Sequence, residues 1–357
     1  MMDSRERVFT AVEHKEVDRP PVFATFTPEV DEALRSHCNI TGDVDTGYAL
    51  GNDMVKVTVG MENSFYMTDD PIYTCPFGVV WKNVKNSSGA YTEIVDGALR
   101  DDEDGLKLKN YKIPDPHNPE LYTHVKAAVD RYGKDKIIVG SCQCSVFETA
   151  WYLTGLEDFL AMMLTDEDYT DELLDKVMQF PLHAGLHMIE AGVDVIWLGD
   201  DVATQLDMMI SVPDWRRYLK ERYAYMFSEF KKANKNILLA YHCCGNCERI
   251  IDELAEIGLD MLQPIQPQAM DPYMVKERHG KNVTLFGGLD IQDLFPNGTK
   301  QQVVQTVYDY KRYLGAGGGY IVSPAHHLQS DTSVEKICAF YEEAKKPVEK
   351  YDYKYVR

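Results

Sequence analysis

The sequence predicts an α/β protein, a (β/α)8 barrel of the TIM type with a small antiparallel β insertion near residues 60–112. Three observations carry that prediction. Eight short apolar runs alternate with longer stretches of helical periodicity. The runs are mostly apolar on both faces, as parallel strands covered on both sides must be. Polar, acidic and metal-competent side chains collect just after most of the runs, at the end where a barrel assembles its active site.

In chain order the predicted strands are residues 21–26, 54–59, 136–140, 194–198, 236–241, 260–263, 282–286 and 319–322. They are short and rich in β-branched residues, which suits strands. Helices are expected over 168–191, 213–233, 247–257, 300–314 and 332–344. Asp168, Thr170, Thr299 and either Asp331 or Thr332 are N-terminal capping types, and Gly192, Gly258 and Gly315 suit helix ends. The alternation breaks between Gly60 and Lys112. There 64–66, 72–74, 78–82 and 91–95 read as short antiparallel strands around turns such as Asn86-Ser87-Ser88-Gly89. This is an insertion after the second barrel strand, near the barrel mouth. No linker divides the chain, so 1–357 reads as a single barrel domain.

Composition narrows the function. The 357 residues are 45% hydrophobic and 26% charged, ordinary for a globular chain able to bury a core without staples. Lys+Arg number 37 against 57 Asp+Glu, a net charge of −20 that opposes nucleic acid and anionic membranes. No apolar run approaches the ~20 residues of a membrane span. The start, Met1 to Arg7, has no apolar export-signal core, so the expected location is the cytoplasm. Eight cysteines are too sparse for a disulfide scaffold. Four sit in the groups Cys142/Cys144 and Cys243/Cys244, and clustering beside His242 points to metal or thiol chemistry.

The strand-end residues are the candidates for chemistry. They are Cys142 and Cys144 with Glu148 a turn later, then Asp200, Asp201 and Gln205, then His242 and Cys244, then Gln266, Asp290, His326 and His327. Imidazole and thiolate suit zinc, and one intervening residue beyond a strand lets His242 and Cys244 turn to one point. Two ligands do not hold zinc, and the pair alone reads equally as a buried histidine beside small apolar cysteines. His326 supplies a third ligand, and three ligands with an open fourth position is the catalytic arrangement. Glu148, Asp201, Gln266 or water are the candidates for that fourth position. Asp200, Asp201, Asp290 and Glu148 read either as caps and solvated carboxylates or as acid/base and ligand-orienting groups. Cys142, Cys144, Gln205, Gln266 and His327 are the expected substrate contacts. The run Gly315 to Gly319 precedes a strand, so it is a turn and not a dinucleotide fingerprint. Gly298-Thr299-Lys300 lacks the upstream glycine of a P-loop. There is no HExxH pair and no GxSxG elbow.

These residues also carry a resemblance. The segments are Arg5 to Val8 through Asp18 to Val22, Gly192-Val193-Asp194 with Gly199-Asp200-Asp201, and His242 to Asn246. With them go Gly258-Leu259-Asp260, Phe286 to Asp290, and Gly317 to Ile321 with Pro324-Ala325-His326. Through them the chain resembles the uroporphyrinogen decarboxylase superfamily along most of its length, which implies the same (β/α)8 fold. That superfamily includes the porphyrinogen decarboxylase and zinc methyltransferases that work with cobamide proteins. The decarboxylase holds its substrate's carboxylates with an Arg-Gln-Ala-Gly-Arg segment after its first strand. Here the stretch is Ala24 to Val30, with no arginine, and a polyanion site without those cations is electrostatically wrong.

The methyltransferase branch uses a His-x-Cys pair and a distant third ligand, and His242 and Cys244 match the pair. In the thiol-methylating enzymes the third ligand looks like a cysteine near the last strand. Here that position is His326, and Cys338 lies well inside the final helix. Imidazole in place of thiolate makes zinc a stronger Lewis acid, better suited to polarising a leaving group than to activating a thiol. The resemblance thus implies a Zn²⁺-dependent methyltransferase that demethylates a small methylated substrate, with methoxylated aromatics among the candidates. The methyl group passes to the Co(I) of a corrinoid on a separate protein, because the chain has no Asp-x-His-x-x-Gly cobamide motif. The expected partners are that corrinoid protein, the small-molecule methyl donor and, where the chain self-associates, a second copy in a homodimer. The insertion is a candidate for docking the partner or selecting the substrate. The alternatives are a methylcobamide:thiol methyltransferase, a decarboxylase-like lyase, and a catalytically idle binding protein on the same fold.

Overall fold

In a computed structural model describing residues 2–86 and 89–354, the apolar runs form one curled parallel sheet. Its strands are β1 (Met54–Thr58), β5 (Ile137–Ser141), β6 (Val195–Gly199), β7 (Leu238–His242), β8 (Met261–Ile265), β9 (Thr284–Leu289) and β10 (Tyr320–Pro324), neighbours in that order. Every pair in the sheet is parallel. The architecture is the TIM-like barrel that the alternation predicts.

The first predicted strand differs. Residues 21–26 make only isolated bridges, Val22 to Val322 and Phe26 to Leu328, so seven strands and not eight carry the ladder. Pro20 and Pro21 lack amide donors. On one side Phe23 N donates to Val322 O at 3.1 Å and Val322 N to Pro21 O at 2.8 Å. On the other side one backbone bond remains, from Asp53 N to Val22 O at 2.8 Å, and side chains supply the rest. Asn52 accepts from Ala24 N at 3.0 Å and donates to Ala24 O at 2.9 Å, while Asp53 accepts from Val22 N at 2.8 Å. The segment closes the curl between β10 and β1.

Two apolar layers result. Inside the curl lie Phe23, Met54, Val139, Trp197, Ala240, Met261, Phe286 and Ile321, one side of each strand. Phe23, Trp197 and Phe286 pack with ring centroids 5.2–6.0 Å apart. The helix Ser4–Val12 adds Val8 and Val12 to this cluster, and Arg5 ties it to the start of β6 through a bidentate pair with Asp194 at 2.6 and 2.7 Å. The larger layer lies between the sheet and the outer helices, which include Glu167–Ala191, Glu221–Ala233, Ile251–Glu256, Lys300–Tyr313 and Val334–Ala344. The 213–233 stretch is a short helix, a π turn at Arg216–Lys220 and then the main helix. Asp166 rather than Asp168 caps Glu167–Ala191, Thr299 forms a full capping box, and Ser333 precedes the last helix.

The insertion is a three-stranded antiparallel sheet, β2 (Ile72–Thr74), β3 (Val79–Asn86) and β4 (Gly89–Gly97). The expected strand at 64–66 is absent; Met61–Ser64 is a 3₁₀ turn instead. Phe65 packs edge-on against Trp81, centroids 5.1 Å apart, and Trp81 against Tyr152 at 5.4 Å, seating the insertion on the helix Phe147–Thr154. Of the turn expected at Asn86 to Gly89, Ser87 and Ser88 lie outside the described residues. Among the described residues no helix is long and apolar enough to cross a membrane.

Candidate metal centre

Strands β7 and β10 stand three places apart in the sheet, about 14 Å if it were flat. The curl brings their ends together. His242 closes β7, His326 follows β10, and their ring centroids are 5.8 Å apart. Cys244 Sγ lies 3.4 Å from His242 Nε2. One ligand atom from each of the three falls within 4.8 Å of the others, the one such group among the described residues.

The surroundings prepare these donors. His242 Nδ1 bonds the Gln263 side-chain oxygen, which leaves Nε2 to face Cys244 and His326. Gln263 Nε2 in turn donates to Ala325 O at 3.3 Å, so one side chain links the β7 end to the residue before His326. Gly199 of β6 makes room: a Cβ there would lie 2.5 Å from that of His242. Gly245, with φ +86°, reverses the chain directly after Cys244 against Thr204 O. Burial, then the neighbouring His242, pushes His326 down to about 4, so its imidazole is neutral and its lone pair available at neutral pH. Burial and then Asp201 raise the Cys244 thiol well above its usual value, and a bound cation would displace that proton. Two imidazoles and one thiolate form a donor set that zinc accepts, and the three residues fit the ion.

The carboxylates divide by role. Asp201 accepts from Cys244 N at 2.7 Å and lies 3.6 Å from His242 Nε2, at the edge of the centre. Glu148 accepts from Asp201 N at 3.1 Å and from Tyr152 at 2.7 Å, buried behind it. Burial, then the charges of Asp201 and Asp200, raise Glu148 well above the usual carboxylate range, which favours its protonated form. Asp200 is fully enclosed, and its two oxygens accept from the backbone N–H groups of Val146, Phe147 and Glu148 and from Tyr223. It fixes the start of the helix Phe147–Thr154 and does not face the centre. Asp290 is likewise taken up locally, by Gln292 N at 2.8 Å and Gln268 at 2.9 Å.

The expected substrate contacts scatter. Gln205 is exposed on the loop bridged by Ala203 and Met208. Gln266 holds Gly245 N at 3.0 Å and Gln292 at 3.0 Å. Cys142 and Cys144 are buried below the surface, Cys144 against the Tyr152 hydroxyl at 3.6 Å. His327 differs: its buried Nδ1 has no partner, and the residue lines the cavities beside the centre.

Sequence reasoning missed three residues. Besides Gln263 they are Lys56 and Glu62. Lys56 Nζ lies 2.5 Å from Glu62 Oε1, and Ser141 donates to the other oxygen at 2.6 Å. Lys56 also sits 5.0 Å from the Trp197 ring, inside the curl. Its signal was available, a lone cation in the apolar run Met54 to Val59.

A cavity of about 530 Å³ opens beside His326 and His327. Phe26, Phe65, Tyr66, Met67 and Tyr91 give it an aromatic and apolar wall, drawn in part from the insertion. Its charged lining residues are Glu29 and Glu62, with no arginine or lysine.

Known proteins resemble the chain in sequence and in fold. The methylated-thiol–coenzyme M methyltransferase of Methanosarcina mazei is 24% identical over 207 residues, 58% of this chain and 53% of that protein. The methylcobamide:CoM methyltransferase MtbA of the same organism is 24% identical over 230 residues, 64% of each chain. MtaA of Methanosarcina barkeri is 26% identical over 171 residues, 48% of each. The chain thus matches about half to two thirds of these relatives' lengths. A solved methyltransferase from Methanosarcina mazei, 19% identical, superimposes with a TM-score of 0.70 over 96% of this chain and 98% of that one, so the two share a fold. The family model for uroporphyrinogen decarboxylase (URO-D) matches residues 84–347, and by that match the chain belongs to the URO-D family.

Proposed function

We propose that the protein is a zinc-dependent methyltransferase that demethylates a small, uncharged methylated substrate and passes the methyl group to the Co(I) of a separate corrinoid protein. The observation that carries this reading is the convergence of His242, Cys244 and His326 at the edge of an aromatic cavity. The relatives' names, all methyltransferases, support the reaction class. Zinc held by these three residues supplies Lewis acidity to the leaving atom of the donor.

The chain's own residues do the rest. Phe26, Phe65, Tyr66 and Tyr91 bury the donor's ring, and the unpartnered His327 Nδ1 meets a polar group on it. Glu29 disfavours a carboxylate in the cavity, while Glu62 is already paired with Lys56, and this favours an uncharged methoxyarene over an aromatic acid. In that transfer the C–O bond would break with its electron pair going to oxygen, the partner's Co(I) would supply the pair of the new Co–C bond, and the leaving oxygen would take up a proton. Asp201 orients the loop through Cys244 N, and Glu148 behind it holds a proton within one residue of the centre.

The names of MtbA and MtaA support a second reading, methylcobamide:thiol transfer in the opposite direction. The test supplies zinc-loaded protein and a reduced corrinoid partner with uncharged methoxyarenes, methoxybenzoates and methyl thioethers. The proposal expects demethylated phenol from the uncharged arenes. Release from none of them, with methyl transfer from methylcobamide to an added thiol, establishes the second reading instead.

A further inference from the structure

A second group of imidazoles lies outside the barrel mouth. His183 and His187 are one turn apart on the helix Glu167–Ala191, and His117 faces them from the segment before the 3₁₀ turn Pro119–Tyr122. His117 Nδ1 is 3.0 Å from His187 Nε2. The His117 ring centroid is 4.8 Å from that of His183 and 5.2 Å from that of His187. His187 Nδ1 lies 3.5 Å from Glu190 Oε2.

We propose that His117, His183 and His187 form a second divalent-metal site, separate from the barrel mouth and selective for a cation that accepts imidazole, such as Zn²⁺. Two histidines four residues apart on one helix face are a known chelating arrangement. A nitrogen–nitrogen separation of 3.0 Å is close to the ~3.3 Å edge of a tetrahedron with 2.0–2.1 Å metal–nitrogen bonds. Glu190 favours the proton on His187 Nδ1, which turns the Nε2 lone pair toward His117, the role a carboxylate has behind a metal-bound histidine. His183 is half-buried and touches His117 ring to ring, but its donor lies outside the 4.8 Å spacing of the barrel-mouth ligands, so a cation would have to draw it in by side-chain rotation. Without a cation, the two facing nitrogens contact each other and the third ring packs against His117. Burial and then its two histidine neighbours lower His183's proton affinity, as expected where three imidazoles crowd together.

A cation here would pin the 111–122 segment, which leads from the insertion to β5, onto the long outer helix. Lys176 already ties the same helix to Leu108 O at 2.5 Å, so the metal would add a second tie along one seam. The ligand atoms are partly exposed, which allows exchange with free Zn²⁺.

The test is a Zn²⁺ titration of metal-free full-length protein, read by equilibrium dialysis and by thermal midpoint. Wild type should bind two ions, Cys244→Ser one, and His117→Gln/His187→Gln one. The triple variant should bind none. Zn²⁺ should raise the midpoint of Cys244→Ser, and the two glutamine substitutions should abolish that rise. A single ion in wild type that Cys244→Ser removes overturns the inference. So does a second ion that survives His117→Gln/His187→Gln, or one with a dissociation constant above about 100 µM, an adventitious association only. If Cys244→Ser retains both ions while the glutamine pair loses one, the flank site stands and the barrel-mouth centre fails.

Discussion

Gln263 shows how one side chain decides what a ligand can do. Its oxygen takes His242 Nδ1 and its amide takes Ala325 O, so it aligns both arms of the centre at once. Gln263→Leu should leave the fold intact and weaken zinc binding about 10–100-fold, the usual effect of losing a group behind a metal ligand. Competition against a chelator measures it. In the proposed reaction, His326 is the residue on which the direction of transfer rests. His326→Cys should keep one zinc per chain while slowing ether demethylation about tenfold, ~1.4 kcal/mol of barrier, because thiolate lowers the Lewis acidity of the ion. Metal content and turnover on the same sample separate the two effects. The grouping of His242, Cys244 and His326 was legible because metal chemistry restricts its candidates to a few residue types at strand ends. Gln263 was passed over for Gln266, since a polar residue closing an apolar run gives no sign of which neighbour it will meet. Asp200 and Asp201 are adjacent in sequence and opposite in role, one enclosed by helix-start amides and the other at the centre's edge.

At the scale of elements, the parallel strands were readable because burial on both faces leaves little else in their sequence. Residues 21–26 shared that pattern yet form no ladder, since the two prolines before and at their start remove donors and side chains take over. Asp53 is the centre of that closure, accepting from Arg7 at 2.8 Å, Arg19 at 2.7 Å and Val22 N while fully enclosed. Burial alone would raise its pKa, but Arg19, Arg7 and the Val22 amide hold it below the usual carboxylate range. The folded value is depressed, so this contribution to stability is complete above about pH 4 and is lost as pH falls through the folded value. Asp53→Asn should cost about 3–5 kcal/mol at pH 7, because it leaves two arginines facing a neutral group, and the deficit should shrink on acidification. Urea unfolding at pH 7 and pH 3 checks both points. The 64–66 stretch read as a strand between turn clusters, but Tyr66 is exposed and the half-buried Phe65 packs edge-on against Trp81 of the insertion. Phe65→Ala should raise KM for a methoxyarene about fivefold, ~1 kcal/mol of lost aromatic contact, with kcat within about twofold.

For the whole molecule, the curl of the sheet is what turns a scattered set of strand ends into one centre. The alternation of runs and helices made that plan legible, and the resemblance sharpened it to a family that the match over residues 84–347 bears out. The insertion was legible as a candidate for selecting the substrate, but the residues of the cavity wall were not, because they come from the first strand segment, the 3₁₀ turn and β4, whose contacts only the folded chain brings together. The central claim is transfer from an uncharged methyl ether to cobalt at His242, Cys244 and His326. The most direct measurement is a single-turnover optical record of the Co(I) corrinoid partner mixed with zinc-loaded protein and a methoxyarene. The account predicts that the Co(I) absorbance decays into that of methyl-cobalt with wild type and stays unchanged with Cys244→Ala. No methyl-cobalt from any methyl donor, with preformed methyl-cobalt demethylated by an added thiol, would contradict it.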